Sequence, residues 1–200
     1  VIEHALDPIW NKPLGMHPFV IAGLEADAYL RATRTSTKAL SAVVSKNRRN
    51  GLRNPLAAYG ANVDEDQVNR SEERFAPLRT LDVSRPADGC IVLVVASEGA
   101  ARKFHADPVW IRGIGWASDS PSLETRDWVE ATYARMAAEM AYRLAKIRRA
   151  ATAIDFAEID DRFSYKELQH LEAIGLARKD DAGKCIRKGE YGPEGRLPVN

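Results

Sequence analysis

The residues best placed to do chemistry lie late in the chain. Asp160-Asp161-Arg162-Phe163 falls between a predicted strand at 154–159 and a predicted helix that starts at Ser164. In α/β folds strand ends and helix N-termini converge, and ligands settle there. Together with Tyr165, this turn offers carboxylates, a guanidinium and a phenol for acid–base work and for holding charge. The same residues also make a solvated turn with an Asp–Arg ion pair, and spacing alone does not separate the two readings.

Other reactive side chains are more scattered. Cys90 opens an apolar run, where a free cysteine is commonly core filler. Cys185 sits beside Lys184 and Arg187, whose charge would lower a thiol pKa, but no histidine is close in sequence to either cysteine. His4, His17, His105 and His170 lack metal-ligand spacing, and His170 reads as a surface or interface residue. Lys46-Asn47-Arg48-Arg49-Asn50 ends a predicted helix, where cations complement the dipole or hold phosphates. Gly113-Ile114-Gly115 lacks the rest of a dinucleotide fingerprint.

The elements that must position these residues follow from periodicity and breakers. Residues 1–20 contain Pro8, Pro13, Pro18 and Gly15 and read as irregular. A helix is predicted over Ala22–Ala32. A second is capped by Thr35 or Ser36 and stopped by Gly51. Residues 54–80 are polar without a strong period and read as a connector. Cys90–Ala96 is apolar and β-branched, as in a strand buried on both faces. A short helix is predicted over Ser97–Phe104. Val109–Trp116 alternates like a strand, with Gly113 and Gly115 marking a close backbone approach or a bulge. The alanine-rich stretch Leu123–Ile147 predicts a long helix sandwiched between layers. Ser164-Tyr165-Lys166-Glu167 matches a capping box, and Gly175 ends that helix. From residue 88 the order is strand, helix, strand, helix, strand, helix, which predicts an α/β layered sheet.

Composition bounds the possibilities. The chain has 200 residues, 45% hydrophobic and 28% charged, so a packed core is expected. A net charge of +1 gives no global reason for nucleic acid or a membrane as partner. The basic helix end at 46–50 leaves salt-dependent nucleic-acid binding as a minor reading. No apolar run spans a bilayer, and the first residues lack a signal-peptide pattern. Two cysteines make no disulfide framework, so a reducing cytoplasm is the default expectation. A first residue other than methionine and an end at Leu197-Pro-Val-Asn200 fit a fragment or a processed chain.

Several ordered segments resemble the thiolase superfamily, in the branch of sterol-carrier-protein-type and archaeal thiolases and lipid-transfer-protein-type aldolases. They are Pro13-Leu-Gly15, Val44–Asn50 with Asn54-Pro55, Ala76–Arg79 through Asp82, and Asp88-Gly89 with the apolar run after it. Further along come Ala157–Phe163, Glu167-Leu168, Glu172–Leu176, Gly183-Lys184 and Gly195–Asn200. The resemblance implies an α/β fold of the thiolase-like αβαβα kind, incomplete here. Residues 1–80 would form a loop-domain-like region and connector. Residues 81–200 would form a C-terminal half that stops before its last motifs.

It also implies chemistry on acyl-CoA. The family's cysteine nucleophile lies in another part of the fold, and neither Cys90 nor Cys185 aligns with a catalytic cysteine. Asp160 stands where the family has a histidine or asparagine that serves an oxyanion hole, and a carboxylate there repels a developing oxyanion unless it is protonated. That turns the expectation from thiolytic chemistry towards the retro-aldol cleavage of a β-hydroxyacyl-CoA, a steroid side chain included. Tyr165 is then the leading acid/base residue, with Asp160 and Asp161 near the thioester. Lys46, Arg48 and Arg49 become candidate contacts for the phosphates of coenzyme A, which enters as part of the substrate. A dimer and a partner protein with a zinc ribbon and an OB-fold are implied as well. A thiolase with its cysteine elsewhere, or a non-catalytic scaffold, are the alternatives.

Overall fold

A computed structural model of the chain describes residues 7, 9–104, 107–120 and 122–200. His4 and His105 lie outside the described residues. After a short 3-10 turn at Lys12–Leu14 come α1 (Pro18–Thr33) and α2 (Thr37–Gly51). Ser36 caps α2 by accepting a hydrogen bond from the Lys38 amide, as expected from the sequence. The predicted connector is structured: it holds α3 (Glu65–Arg70) and the antiparallel pair β1 (Glu73–Phe75) and β2 (Leu78–Arg79). Then follow α4 (Glu98–Phe104), α5 (Thr132–Ala145), α6 (Ala150–Ala153), α7 (Ser164–Ala173) and α8 (Ala182–Arg187).

The core lies where α1, α2, α7, α8 and the C-terminal tail meet. Ala26, Tyr29, Leu40, Val43, Leu168, Leu171, Tyr191 and Leu197 fill it. No helix among the described residues is long and apolar enough to cross a membrane.

Two predicted strands have no ladder partner among the described residues. Cys90–Ala96 has no regular secondary structure, and Ile91 to Val95 are exposed rather than covered on both faces. Its apolar, β-branched composition records what a strand needs against its faces, and among the described residues nothing covers it on both. Residues 109–116 have no regular secondary structure either, but their alternation is used. Gly113, Gly115 and Ala117 are half-buried, while Ile114 and Trp116 face outward. At the third predicted strand a single parallel bridge pairs Ala157 with Val199.

The two glycines allow 109–116 to lie directly on α5. A Cβ on Gly113 would sit 2.1 Å from the Ala141 carbonyl oxygen, and one on Gly115 would sit 1.9 Å from that of Ala137. This is the close backbone approach their spacing predicted. Gly115→Ala is expected to force the segment off the helix and to cost about 1–3 kcal/mol. The check is the shift in urea midpoint of the complete protein; an unchanged midpoint would show that the packing yields freely.

The sandwiched helix is α7, not α5. α5 begins only at Thr132, none of its residues is fully buried, and Met136 and Leu144 are exposed. In α7 every residue from Ser164 to Leu171 is buried. The predicted capping box does not form: Phe163 is the N-cap residue, with no side-chain cap bond. The Ser164 hydroxyl donates to Asp82 Oδ1 at 2.6 Å instead, and Glu167 is drawn into a separate network described below.

Candidate functional site

The turn Asp160–Phe163 divides the surroundings of α7 into two sides. Asp161 faces the C-terminal half of α2. It lines a cavity of about 290 Å3 with Asn47, Arg48, Tyr59, Asp82 and Ser164. It also lines one of about 580 Å3 with Asn50, Ile159 and Asn200. Arg162 and Phe163 face the other way, into a cavity of about 360 Å3 walled by Pro18, Ile21, Ala22 and Leu123. Glu25, Arg126, Tyr133, Tyr165 and Lys166 line that third cavity as well.

On the α2 side the polar groups pair with one another, with Glu167 Oε1 the buried oxygen left without a hydrogen bond. Glu167 accepts from Asn47 Nδ2 at 2.7 Å and Asn200 Nδ2 at 2.9 Å, and pairs with Lys46 Nζ at 3.2 Å. Burial raises the Glu167 carboxyl and lowers the Lys46 ammonium, so the neighbouring amides matter to the pair. Asn47 also donates to Asp161 Oδ2 at 2.8 Å. Asn200 accepts from the Ile159 amide at 2.7 Å and donates to its carbonyl at 3.0 Å, tying the tail to the turn.

On the α1 side a polar floor closes the third cavity. Glu25 accepts from Lys166 Nζ at 2.7 Å and Tyr165 Oη at 3.0 Å, and pairs with Arg126 at 3.1 Å. Burial alone would raise the Glu25 carboxyl, but Lys166 and Arg126 hold it below the usual carboxylate range. Lys166 Nζ lies 2.9 Å from Gln169 Oε1 and 3.3 Å from Tyr133 Oη. Tyr133 Oη is 2.7 Å from His170 Nε2. Tyr133 is half-buried whereas Tyr165 is fully buried, so Tyr133 presents the more accessible phenol. Burial, followed by the Glu25 charge, raises the Tyr165 phenol well above its ordinary value.

His170 is the titrating group of this floor. Burial and the Lys166 charge push it down to about 4, against the opposing pull of Asp160 and Glu25. Its ordinary value is 6.5, so between these limits the unfolded chain holds the extra proton. The stability it contributes is therefore present above pH 6.5 and is lost as pH falls towards 4. His170→Gln is expected to remove about 2–3 kcal/mol of the stability lost between pH 7 and pH 4.5. Urea unfolding of both proteins at the two pH values checks this; parallel losses would remove His170 as the cause.

Comparison with known proteins agrees with this architecture. Residues 115–200 match the family described as Thiolase C-terminal domain-like. The whole chain is 28% identical over 200 residues to an acetyl-CoA acetyltransferase of Methanothermobacter thermautotrophicus, covering 52% of it. The chain is thus similar to the thiolase superfamily, through residues 115–200 by family match and along its whole length to this relative.

Another relative is the 17-hydroxy-3-oxo-4-pregnene-20-carboxyl-CoA lyase of Mycobacterium tuberculosis. It is 26% identical over 205 residues, covering 98% of this chain and 52% of the lyase. The solved Ltp2-ChsH2(DUF35) aldolase superposes with a TM-score of 0.86 at 23% identity, over 96% of this chain and 51% of that one, and shows the shared α/β fold. The chain thus spans about half the length of these relatives.

Within this thiolase-like fold the residues singled out from sequence are distributed as follows. Asp160 is exposed, and its Oδ1 accepts from the Arg162 amide at 3.0 Å. Asp161 stands with Asn47 on the α2 side, and Tyr165 with Glu25 on the α1 side. Lys46 is held by Glu167. Arg48 donates to the Tyr59 carbonyl at 3.1 Å and lines the smallest of the three cavities. Arg49 is exposed and reaches Ser45 Oγ at 3.3 Å.

Cys90 is exposed and Cys185 is half-buried. Burial raises the Cys185 thiol, against the lowering that its cationic neighbours had predicted. His170 faces inward to Tyr133 rather than outward.

Glu25, Arg126, Tyr133 and Lys166 were not legible as site residues. They come from α1, the 119–126 loop, α5 and α7, and each fits its local pattern as a solvated or stripe residue. The one available signal was the polarity of a helix, α7, that this fold surrounds.

Proposed function

We propose that this chain is part of a thiolase-fold enzyme that makes or breaks carbon–carbon bonds in acyl-CoA, with retro-aldol cleavage of a β-hydroxyacyl-CoA the preferred reaction. The observation that carries this reading is the floor of the cavity between α1, α5 and α7. It puts a half-exposed phenol, Tyr133, within 2.7 Å of a neutral imidazole and 3.3 Å of an ammonium, beside an apolar wall. The lyase and aldolase relatives favour the same chemistry, and a steroid side chain is one substrate of this class.

In the proposed reaction Tyr133 exchanges a proton with the β-hydroxyl. The hydroxyl loses its proton, the Cα–Cβ bond breaks, and its electron pair passes to Cα as an enolate spread onto the thioester oxygen. Cα then takes up the proton that left the hydroxyl, returned through Tyr133, giving a shorter acyl-CoA and a ketone or aldehyde. Lys166 stabilises negative charge on the Tyr133 oxygen, and His170 fixes the orientation of the phenol. Tyr165 acts through Glu25 as a positioning residue. Asp161 positions Asn47, and Asp160 keeps negative charge away from the exposed side of the turn. Coenzyme A enters as part of the substrate, its phosphates near Arg48 and Arg49; Lys46 serves the Glu167 pair. A dimer and a zinc-ribbon/OB-fold partner remain part of the proposal, as does action in the cytoplasm.

The archaeal acetyltransferase relative favours a second reading, acyl transfer using a cysteine from another part of the protein. Incubating the complete protein with a 3-hydroxyacyl-CoA separates the two. Release of a ketone or aldehyde without free coenzyme A supports cleavage. Thiolysis of a 3-ketoacyl-CoA that needs free coenzyme A, with no cleavage of the hydroxy compound, replaces it with transfer. Binding without turnover of either would make the protein a scaffold.

A further inference from the structure

The cavity between α1, α5 and α7 carries a cation that the proposed reaction does not use. The Arg162 guanidinium lies 5.7 Å from the centre of the Phe19 ring and 5.8 Å from that of Phe163. The two rings meet edge to face at 5.6 Å, so they form a fixed bracket for the cation. Among the described residues no carboxylate or carbonyl pairs with that guanidinium. The other cations of the wall are paired. Arg126 and Lys166 share Glu25, and Asp119 accepts from the Ser120 amide at 2.7 Å. Three cations face two carboxylates around one cavity, and among the described residues Arg162 is the one of the three with no carboxylate bonded to it.

Exposure gives the cavity a direction. Glu25, Tyr165 and Lys166 are buried at its floor, and Arg162 is exposed at its mouth. Pro18, Ile21 and Leu123 are half-buried, between floor and mouth in exposure, and with Ala22 and Phe163 they offer apolar contact only. A ligand that fits this order has a reactive polar end at the floor, an apolar middle, and an anion where a bracketed guanidinium can take it with two parallel N–H bonds.

We propose that Arg162 selects acyl-CoA substrates whose acyl group bears a second acidic function, a carboxylate separated from the thioester by an apolar stretch. This rests on the proposed acyl-CoA reading and adds a substrate class to it. The guanidinium is already held by two rings, so little side-chain freedom is lost when the carboxylate arrives.

The test compares adipoyl-CoA with hexanoyl-CoA, which have equal chain length and differ in the terminal carboxylate. Each is titrated calorimetrically into the complete protein and into its Arg162→Gln and Arg162→Lys variants. The native protein is expected to bind adipoyl-CoA about tenfold tighter than hexanoyl-CoA. Arg162→Gln should abolish that preference and leave hexanoyl-CoA binding within about twofold, and Arg162→Lys should retain part of it. Equal affinities in the native protein overturn the inference and leave the acyl-CoA reading standing. An equal loss for both ligands in Arg162→Gln also overturns it, by assigning the guanidinium to the coenzyme portion they share. Failure of either acyl-CoA to bind the native protein overturns the inference and the proposed function together.

Discussion

Tyr133→Phe is expected to lower kcat for cleavage of a 3-hydroxyacyl-CoA about a hundredfold or more and to leave KM within about twofold. The substitution removes one oxygen and keeps the ring, so the edge-on contact with His170, at a centroid distance of 5.6 Å, survives. What disappears is the group that exchanges a proton with the β-hydroxyl and that Lys166 holds at 3.3 Å. A general acid–base residue contributes in the transition state and little to ground-state binding, hence the effect on kcat. Tyr165→Phe should behave differently. Its hydroxyl is one of several donors to Glu25, so its loss leaves Lys166 and Arg126 in place and lowers kcat less. Steady-state kinetics of both variants decides: a Tyr133→Phe enzyme with native kcat would remove Tyr133 from the chemistry. The reverse ranking would return the role to Tyr165.

Glu25→Ala is expected to destabilise the protein by about 3–5 kcal/mol. Glu25 is the only carboxylate among the described residues that pairs with Lys166 and Arg126. Removing it leaves the buried ammonium without a counter-charge, and the cost is that of an unpaired charge rather than of one lost contact. The double variant Glu25→Leu with Lys166→Met should recover much of the loss, because it removes both charges and keeps apolar volume. Urea unfolding of the single and double variants forms the cycle. A Glu25→Ala protein within about 1 kcal/mol of native would show that water reaches Lys166 and solvates it.

The helices whose ends are marked by local chemistry were readable in the sequence. Ser36 capping α2, the stop at Gly51, and α4 over Glu98–Phe104 required only neighbouring residues. The glycine pair at 113 and 115 was readable as a close approach because the absence of two Cβ atoms has few other uses in an alternating segment. The strands fared less well. A run such as Ile91–Val95 has strand composition wherever it is, but a strand exists only as a ladder, and the ladder partner is a property of the fold.

The capping box is the instructive failure. Ser164 and Glu167 have the right spacing, yet Asp82 and Lys46 compete for them and win, because both side chains are buried and a buried polar group takes the partner nearest in space. The same holds along α7. Its mean character is polar, which by itself describes a solvated helix, and tertiary structure surrounds it with Glu25, Lys46, Asp82 and Tyr133.

What the sequence determined alone was the resemblance to a family, the helices with local caps, and the turn at Asp160–Phe163 as a place where elements converge. What only the tertiary structure decided was which side of that turn each residue faces, and therefore that Tyr133, Lys166 and Glu25, distant in sequence, share one cavity. The physical reason is range: caps, glycines and periodicity act within a few residues. The pairing of buried charges is settled by whichever opposite charge the packing brings within about 3–4 Å.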